Sequence, residues 1–367
     1  MLENWLHPVK PEDILNQPLS EYQLGSRLTF FENSSPDLKK VQVAIIGVGT
    51  MESNAVRQAL YPLVYSFDGL GIADLGNLRK KEIEFAIPFL MELVDSRIFP
   101  IIIGSDPFLL QAQYKAFQHS KEWLNLVVVD ECIPLGADTD DTQQYLNEII
   151  YGKRTKLHHV GIIGCQNHFT APNVFTLFEN RFFDWVRLGK AKADMAEVEP
   201  IVRNGDIMAM HLGALKQSEA PGVWAPSPSG FTVEEACQLA RYGGMSEKLK
   251  SFGLYGMKGG KELNRQTAQA AAQIIWYFIE GLFHRKNDYP ATTDGLVEYI
   301  VDFKNPDWQI TFWKSQRSGR WWMQVPGKTQ KKFQRHQLVP CSYNDYKLAC
   351  QEELPDRLLN AIRRISV

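Results

Sequence analysis

Side chains able to hold a metal ion or move a proton stand at or near the ends of two apolar runs. Leu124–Asp130 leads into Asp130-Glu131-Cys132, and Asp206–Leu212 carries His211 close to its end. Asp130 and Cys132 lie two apart and so share one face of a strand end, while His211 would project from a neighbouring strand end. One Asp, one Cys and one His could hold Zn²⁺ tetrahedrally with water in the fourth place. The plainer reading is favoured: Cys132 is a small buried thiol, His211 a hydrogen-bonded edge residue and Asp130 a cap. Three scattered residues without a ligand-spacing motif carry little weight.

Other candidates weigh the same way. Cys165-Gln166-Asn167-His168 offers a thiol and a base three apart, but local polar capping explains the residue types better. His158-His159 opens a strand and is expected to be solvated. Asp106, in Gly104-Ser105-Asp106-Pro107, is expected to cap a following helix, with Pro107 at its first position. Gly47-Val48-Gly49 lacks the third glycine of a dinucleotide-binding turn, position 52 being Glu52, and no phosphate-binding loop of Walker type occurs.

The elements that must position these groups are legible. Short, nearly continuous apolar runs recur at Val41–Val48, Phe99–Gly104, Leu124–Asp130, His159–Gly164, Asp206–Leu212 and Phe252–Tyr255. Strands apolar on both faces, alternating with helices, imply an α/β fold of three layers around a mainly parallel central sheet. Helices are expected at Lys81–Ser96, Phe108–Gln118, Asp141–Tyr151 and Asn264–Phe283. Thr232 and Glu235 form a capping-box sequence, with Gly243-Gly244 as the stop. After His284 the texture changes. Trp308–Trp313 and Arg320–Val325 flank a Ser318-Gly319 turn and read as a β-hairpin, followed by a basic connector from Lys328 to Arg335 and a helix near Pro355–Ile365. The division is therefore a main α/β domain, 1–284, with a peripheral amino-terminal segment, and a C-terminal appendage, 285–367, packed on the core or at an interface.

Composition excludes little. With 367 residues, 44% hydrophobic and 22% charged, and 40 basic against 42 acidic side chains, nothing global points to nucleic acid or membrane. The Trp308, Trp313, Trp321, Trp322 group beside Arg317, Arg320 and the basic connector could stack bases. Packing or a protein interface is the better account, with the charges left in solvent. Five cysteines without a CxxC read as reduced thiols, and the amino-terminal residues lack a secretory pattern, so a cytoplasmic protein is expected.

A family resemblance sharpens this. Pro221-Gly222 through Gly230-Phe231-Thr232 and Glu235 resembles the Pro-Gly…Gly-Leu-Thr-x-x-Glu loop of the arginase/agmatinase/formiminoglutamase family, the ureohydrolases. Weaker marks are Asn54-Ala-Val-Arg57 and Ala73-Asp-Leu-Gly-Asn77. The family's Gly-Gly-Asp-His-Ser is matched by Gly104-Ser105-Asp106-Pro107-Phe108. Its Asp-Ala-His-x-Asp is matched by Asp130-Glu131-Cys132-Ile133-Pro134, and its Asp-x-Asp by His211-Leu212-Gly213.

The resemblance implies an arginase-like three-layer αβα fold, and in the family these positions hold two manganese ions sharing a hydroxide. Hard Mn²⁺ prefers carboxylate and imidazole, and paired metals make a nucleophile of water at neutral pH. Of six ligand positions only Asp130 matches, and Pro107, Pro134 and Gly213 offer no side-chain donor. The family's substrate-gripping glutamate falls at Gly256. The resemblance thus implies a vestigial cavity around Asp106, Asp130, Glu131, Cys132, His211 and Gly256, with no cofactor. A non-catalytic role in binding, assembly or regulation is expected, with a possible homo-oligomer, protein partner or small polar ligand. The alternative is a hydrolase of linear amidino or formimino C–N bonds with Mn²⁺ or Zn²⁺ held in a rearranged site.

Overall fold

The apolar runs become strands buried on both faces. A computed structural model describes residues 2–32, 36–120, 122–136, 144–258, 264–304, 308–327 and 330–366. The first ten strands are β1 (Leu6–His7), β2 (Thr29–Phe30), β3 (Val43–Val48), β4 (Ile72–Leu78), β5 (Phe99–Gly104), β6 (Leu124–Val129), β7 (Leu157–Cys165), β8 (Asp184–Arg187), β9 (Ile207–His211) and β10 (Ser251–Tyr255). They form one 10-stranded sheet in the order β1-β4-β3-β5-β10-β9-β6-β7-β8, with β2 also on β4. Only the β1–β4 pairing is antiparallel.

Side-chain alternation divides the core across this sheet. Val43, Ile45, Ile101 and Ile103 enter one apolar cluster, while Ala44, Ile46 and Ile102 enter the cluster on the opposite face. Helices Thr50–Leu60, Val233–Gly244 and Asn264–Phe283 cover the first face, and Ile83–Asp95 and Leu109–Phe117 the second. This is the expected three-layer α/β architecture. Among the described residues no helix is long and apolar enough to cross a membrane.

Local differences have physical causes. The helix expected at Asp141–Tyr151 is present as Asn147–Tyr151, and residues 141–143 lie outside the described set. The Thr232–Glu235 capping box forms with both of its reciprocal bonds. Gly243-Gly244 does not act as a left-handed stop, because Met245 continues in the right-handed region with φ −69°. Those glycines admit the neighbouring helix instead. A Cβ on Gly244 would stand 2.1 Å from the Phe278 carbonyl oxygen, and one on Gly243 2.6 Å from Met208 Sδ.

The hairpin belongs to a larger sheet. Strands β11 (Leu296–Asp302), β12 (Gln309–Ser315), β13 (Trp321–Gln324) and β14 (Leu338–Cys341) form a four-stranded antiparallel sheet in that order. Its own apolar cluster includes Phe312, Trp321 and Met323, closed by Leu358 and Ala361 of helix Asp356–Ser366. This C-terminal part packs on the parallel sheet through polar contacts. Arg203 donates to the Trp321 and Cys341 carbonyls and lies 4.5 Å from the centroid of the buried Trp322 ring. Arg335 Nη2 meets the fully buried Asp206 Oδ1 at 2.6 Å. The charges of the basic connector are therefore not all in solvent: Arg335 neutralises a buried carboxylate whose other oxygen accepts from the Asn125 amide. Lys328 lies outside the described residues.

Candidate functional site

Strand register decides which candidates meet. In the parallel pairing of β6 with β9, Val129 faces Met210, so the next residues, Asp130 and His211, emerge side by side at the carboxyl edge. Across β9 from β6, Tyr255 of β10 faces His211, which brings Gly256 to the other flank. His211 Nδ1 lies 3.5 Å from Asp130 Oδ1. Asp130 is buried, and its oxygens are already engaged: the Glu131 amide donates to Oδ1 at 2.7 Å and the Tyr145 hydroxyl to Oδ2 at 2.5 Å.

Electrostatics follow from burial and crowding. Burial, then the adjacent Asp130 charge, raises the Glu131 carboxyl to about 7 against a smaller downward pull from His211. The buried Glu131 Oε2 has no hydrogen-bond partner. The Cys132 thiol is pushed well up by burial and by Asp130 and Glu131, so it stays protonated at neutral pH. At His211 burial opposes the charged ring, but attraction to Asp130, with Glu131 behind it, outweighs that cost and raises its pKa.

The two glycines flanking His211 hold its ring. A Cβ on Gly213 would stand 2.8 Å from His211 Nδ1 and 2.9 Å from Cε1. One on Gly256 would stand 2.5 Å from Nε2 and 2.7 Å from Cδ2, and Gly256 also adopts φ +95°, a left-handed conformation that disfavours any side chain. The space where the resemblance places a metal-binding aspartate and a substrate-binding glutamate is thus taken by an imidazole.

A prediction arises here. Gly213→Ala should destabilise the protein by roughly 1–3 kcal/mol through overpacking. Much of that loss should disappear in a His211→Ala background, with a coupling of about 0.5 kcal/mol or more. Equal losses in both backgrounds, measured by urea unfolding, would show that the ring does not fill this space.

The remaining candidates separate from this cluster. Asp106 is exposed, and its Oδ1 accepts from the Phe108 amide at 2.9 Å, so it caps the turn into helix Leu109–Phe117, two residues past the proline. Cys165 Sγ points to the Val186 carbonyl at 3.8 Å, and burial lifts its pKa to about 12. His168 is exposed, 4.2 Å by ring centroids from Phe169, and makes no pair with Cys165. The expectation that His158-His159 is solvated is overturned. His159 is buried, with Nε2 3.0 Å from Asp184 Oδ2, and His158 stacks on His336 at 4.2 Å between ring centroids.

One contributor was not read as a site residue. Tyr145, which holds Asp130, sits in a segment with no motif to single it out. The Asn54…Arg57 and Asp74…Asn77 marks proved structural: Arg57 forks onto both Asp74 oxygens at 2.8 and 2.9 Å and donates to Asn77 Oδ1 at 2.7 Å.

A mainly parallel sheet between two helical layers, with a polar cluster at its carboxyl edge, is a three-layer α/β architecture, a class in which ligands commonly bind at that edge. Within that class its fold is arginase-like. A formiminoglutamase structure from Trypanosoma cruzi with Mn²⁺ matches with a TM-score of 0.62 at 14% identity, over 72% of this chain and 100% of that one. Formimidoylglutamase from Bacillus subtilis matches with 0.63 at 15%, over 72% and 93%. The agmatine ureohydrolase of Thermoplasma volcanium matches with 0.53 at 14%, over 71% and 94%. No family model and no curated protein matches the sequence.

The manganese pair borne by such a relative does not fit the donor set here. Among the described residues no group of three or more His, Cys, Asp or Glu side chains is placed to hold a metal ion. Of the six positions matched to the family's ligands, Pro107, Pro134 and Gly213 carry no side-chain donor at all.

Proposed function

We propose that this arginase-fold protein has lost the dimanganese centre and works without catalysis, in binding, assembly or regulation. The observation that carries this reading is the His211 ring seated between Gly213 and Gly256. Ligand positions that had merely decayed would leave a void. Here the replacements complement one another sterically, as expected of a site rebuilt around a new side chain. Pro107, Pro134 and Gly213, which offer no side-chain donor, support the same reading.

One feature favours the alternative, a hydrolase of linear C–N bonds with a rearranged metal. Glu131 Oε2 is a buried carboxylate oxygen without a partner, the kind of atom that a bound cation satisfies. The test is ammonia or urea release from formiminoglutamate and agmatine, in the presence of Mn²⁺ or Zn²⁺. The proposal expects release no faster than without protein. Turnover that disappears in Asp130→Ala would establish the alternative.

A further inference from the structure

Strand β11 leaves one edge of the antiparallel sheet open. In its register on β12, Val297 lies opposite Lys314 and Tyr299 opposite Phe312. Ser315 is turned toward β13, because its amide donates to the Arg320 carbonyl and its own carbonyl accepts from the Gly319 amide. Alternation then turns Lys314 and Phe312 toward β11, so Val297, Tyr299 and Val301 bond to β12 while Glu298, Ile300 and Asp302 point N–H and C=O outward. No hydrogen bond to those outward groups forms among the described residues. The other sheet edges are blunted. Strands β1 and β2 have two residues each and β8 has four, while β14 carries Pro340 and its Cys341 carbonyl is taken by Arg203. By contrast β11 runs for seven residues, Leu-Val-Glu-Tyr-Ile-Val-Asp, in unbroken register, with no proline, glycine or lysine.

We propose that β11 takes up an extended segment of a partner protein as an added strand, one that carries lysine or arginine at alternate positions on either side of an apolar residue. Backbone pairing of this kind supplies affinity, and the side chains beside the edge choose the sequence. On the face shared with Trp313 and Thr311, Ile300 is 55% exposed and is flanked by the exposed Glu298 and Asp302. An incoming strand therefore meets acid, apolar, acid at successive same-face positions, and cations opposite the acids are favoured. The same charges disfavour a second copy of β11. Antiparallel self-pairing centred on Ile300 sets Glu298 against Asp302, and centring it on Tyr299 puts each Glu298 diagonally beside the other copy's Glu298 and Asp302. The inference does not depend on whether the cluster at the carboxyl edge of the parallel sheet is catalytic.

The test is binding of a labelled, end-capped peptide Thr-Lys-Thr-Ile-Thr-Lys-Thr to the full chain by fluorescence anisotropy, with amide exchange read along β11. The wild type is expected to bind it at least about tenfold more tightly than the counterpart with Glu for both Lys, and to slow exchange at Glu298, Ile300 and Asp302. Ile300→Pro removes an outward N–H without costing a bond to β12, so it should weaken binding at least about tenfold while thermal unfolding shows the fold intact. Glu298→Lys, at an exposed position, should erase the preference for the basic peptide whether or not the proline variant folds. Equal binding of the two peptides, no slowing of exchange at the three outward amides, or a preference unchanged by Glu298→Lys overturns the proposal. So does a wild type that pairs with itself through an edge sensitive to Ile300→Pro.

Discussion

The Arg57→Ala variant is expected to lose about 3–5 kcal/mol of stability, the cost of leaving a buried charge without its partner. Arg57 and Asp74 are both completely buried. Around them every group is engaged. Arg57 Nη2 also donates to the Gly76 carbonyl at 2.9 Å, and the Tyr61 hydroxyl donates to Asp74 Oδ2 at 3.0 Å. Burial works against the Arg57 charge, but Asp74 and Tyr61 more than offset it, and its pKa is raised. Arg57→Lys should also lose stability, because an ammonium cannot span both carboxylate oxygens as the planar fork does. Pairing Arg57→Met with Asp74→Asn should recover part of the loss, since the uncompensated charge is then gone. Urea midpoints of the single and paired variants measure this. A single variant as stable as the parent would contradict the account.

Acidification should loosen the seam between the parallel sheet and the C-terminal part. His336 Nε2 donates to the Trp123 carbonyl at 2.8 Å, and its Nδ1 lies 3.4 Å from Lys248 Nζ. Burial, with Arg364, Lys248 and Arg335 nearby, holds His158 well below its usual pKa, and burial with Lys248 and the stacked His158 does the same to His336. Glu122 and Asp206 also face the seam and are occupied by Arg335.

The sign follows from linkage. Above the unfolded-state value of 6.5 both rings are neutral in either state, and their contribution is constant. Below it the unfolded chain takes up two protons that these rings refuse in the native protein, so the pair makes stability fall as pH falls, contributing a slope approaching about 2.7 kcal/mol per pH unit; the buried His159, lowered to about 4, adds to it, and Glu131, raised to about 7, opposes it. Lys248, lowered to about 7 chiefly by burial, is charged in both states over that range and adds no slope there. Replacing His336 by Gln should remove about 1.4 kcal/mol per pH unit of that slope. Denaturant unfolding from neutral pH downward would read it, and a slope left unchanged by the His336 substitution would refute the assignment.

Much of the fold could be read in the amino acids because burial on both faces leaves an unambiguous trace. Phe99–Gly104 is a strand with the expected bounds, and the long helix runs over Asn264–Phe283 as expected. β8 escaped notice because Asp184–Arg187 is four residues long and polar at both ends. β11 and β14 escaped because they carry no turn signal like the Ser318-Gly319 pair between β12 and β13.

At the site, the pairing of Asp130 with His211 was implicit in two strand ends. The meaning of Gly213 and Gly256 was not: a glycine records that space is needed without saying which neighbour fills it. The His158-His159 burial was hidden for a related reason, since the residues that shield it, Asp184 and His336, come from distant segments.

The most direct measurement is a titration of chelator-treated protein with Mn²⁺ by calorimetry, supported by elemental analysis of the dialysed product. With His211 seated between the glycines and no side-chain donor at Pro107, Pro134 or Gly213, no saturable heat and less than one equivalent of retained manganese per chain are expected. Two equivalents held per chain, released by Asp130→Ala, would contradict the proposal that the metal centre has been replaced.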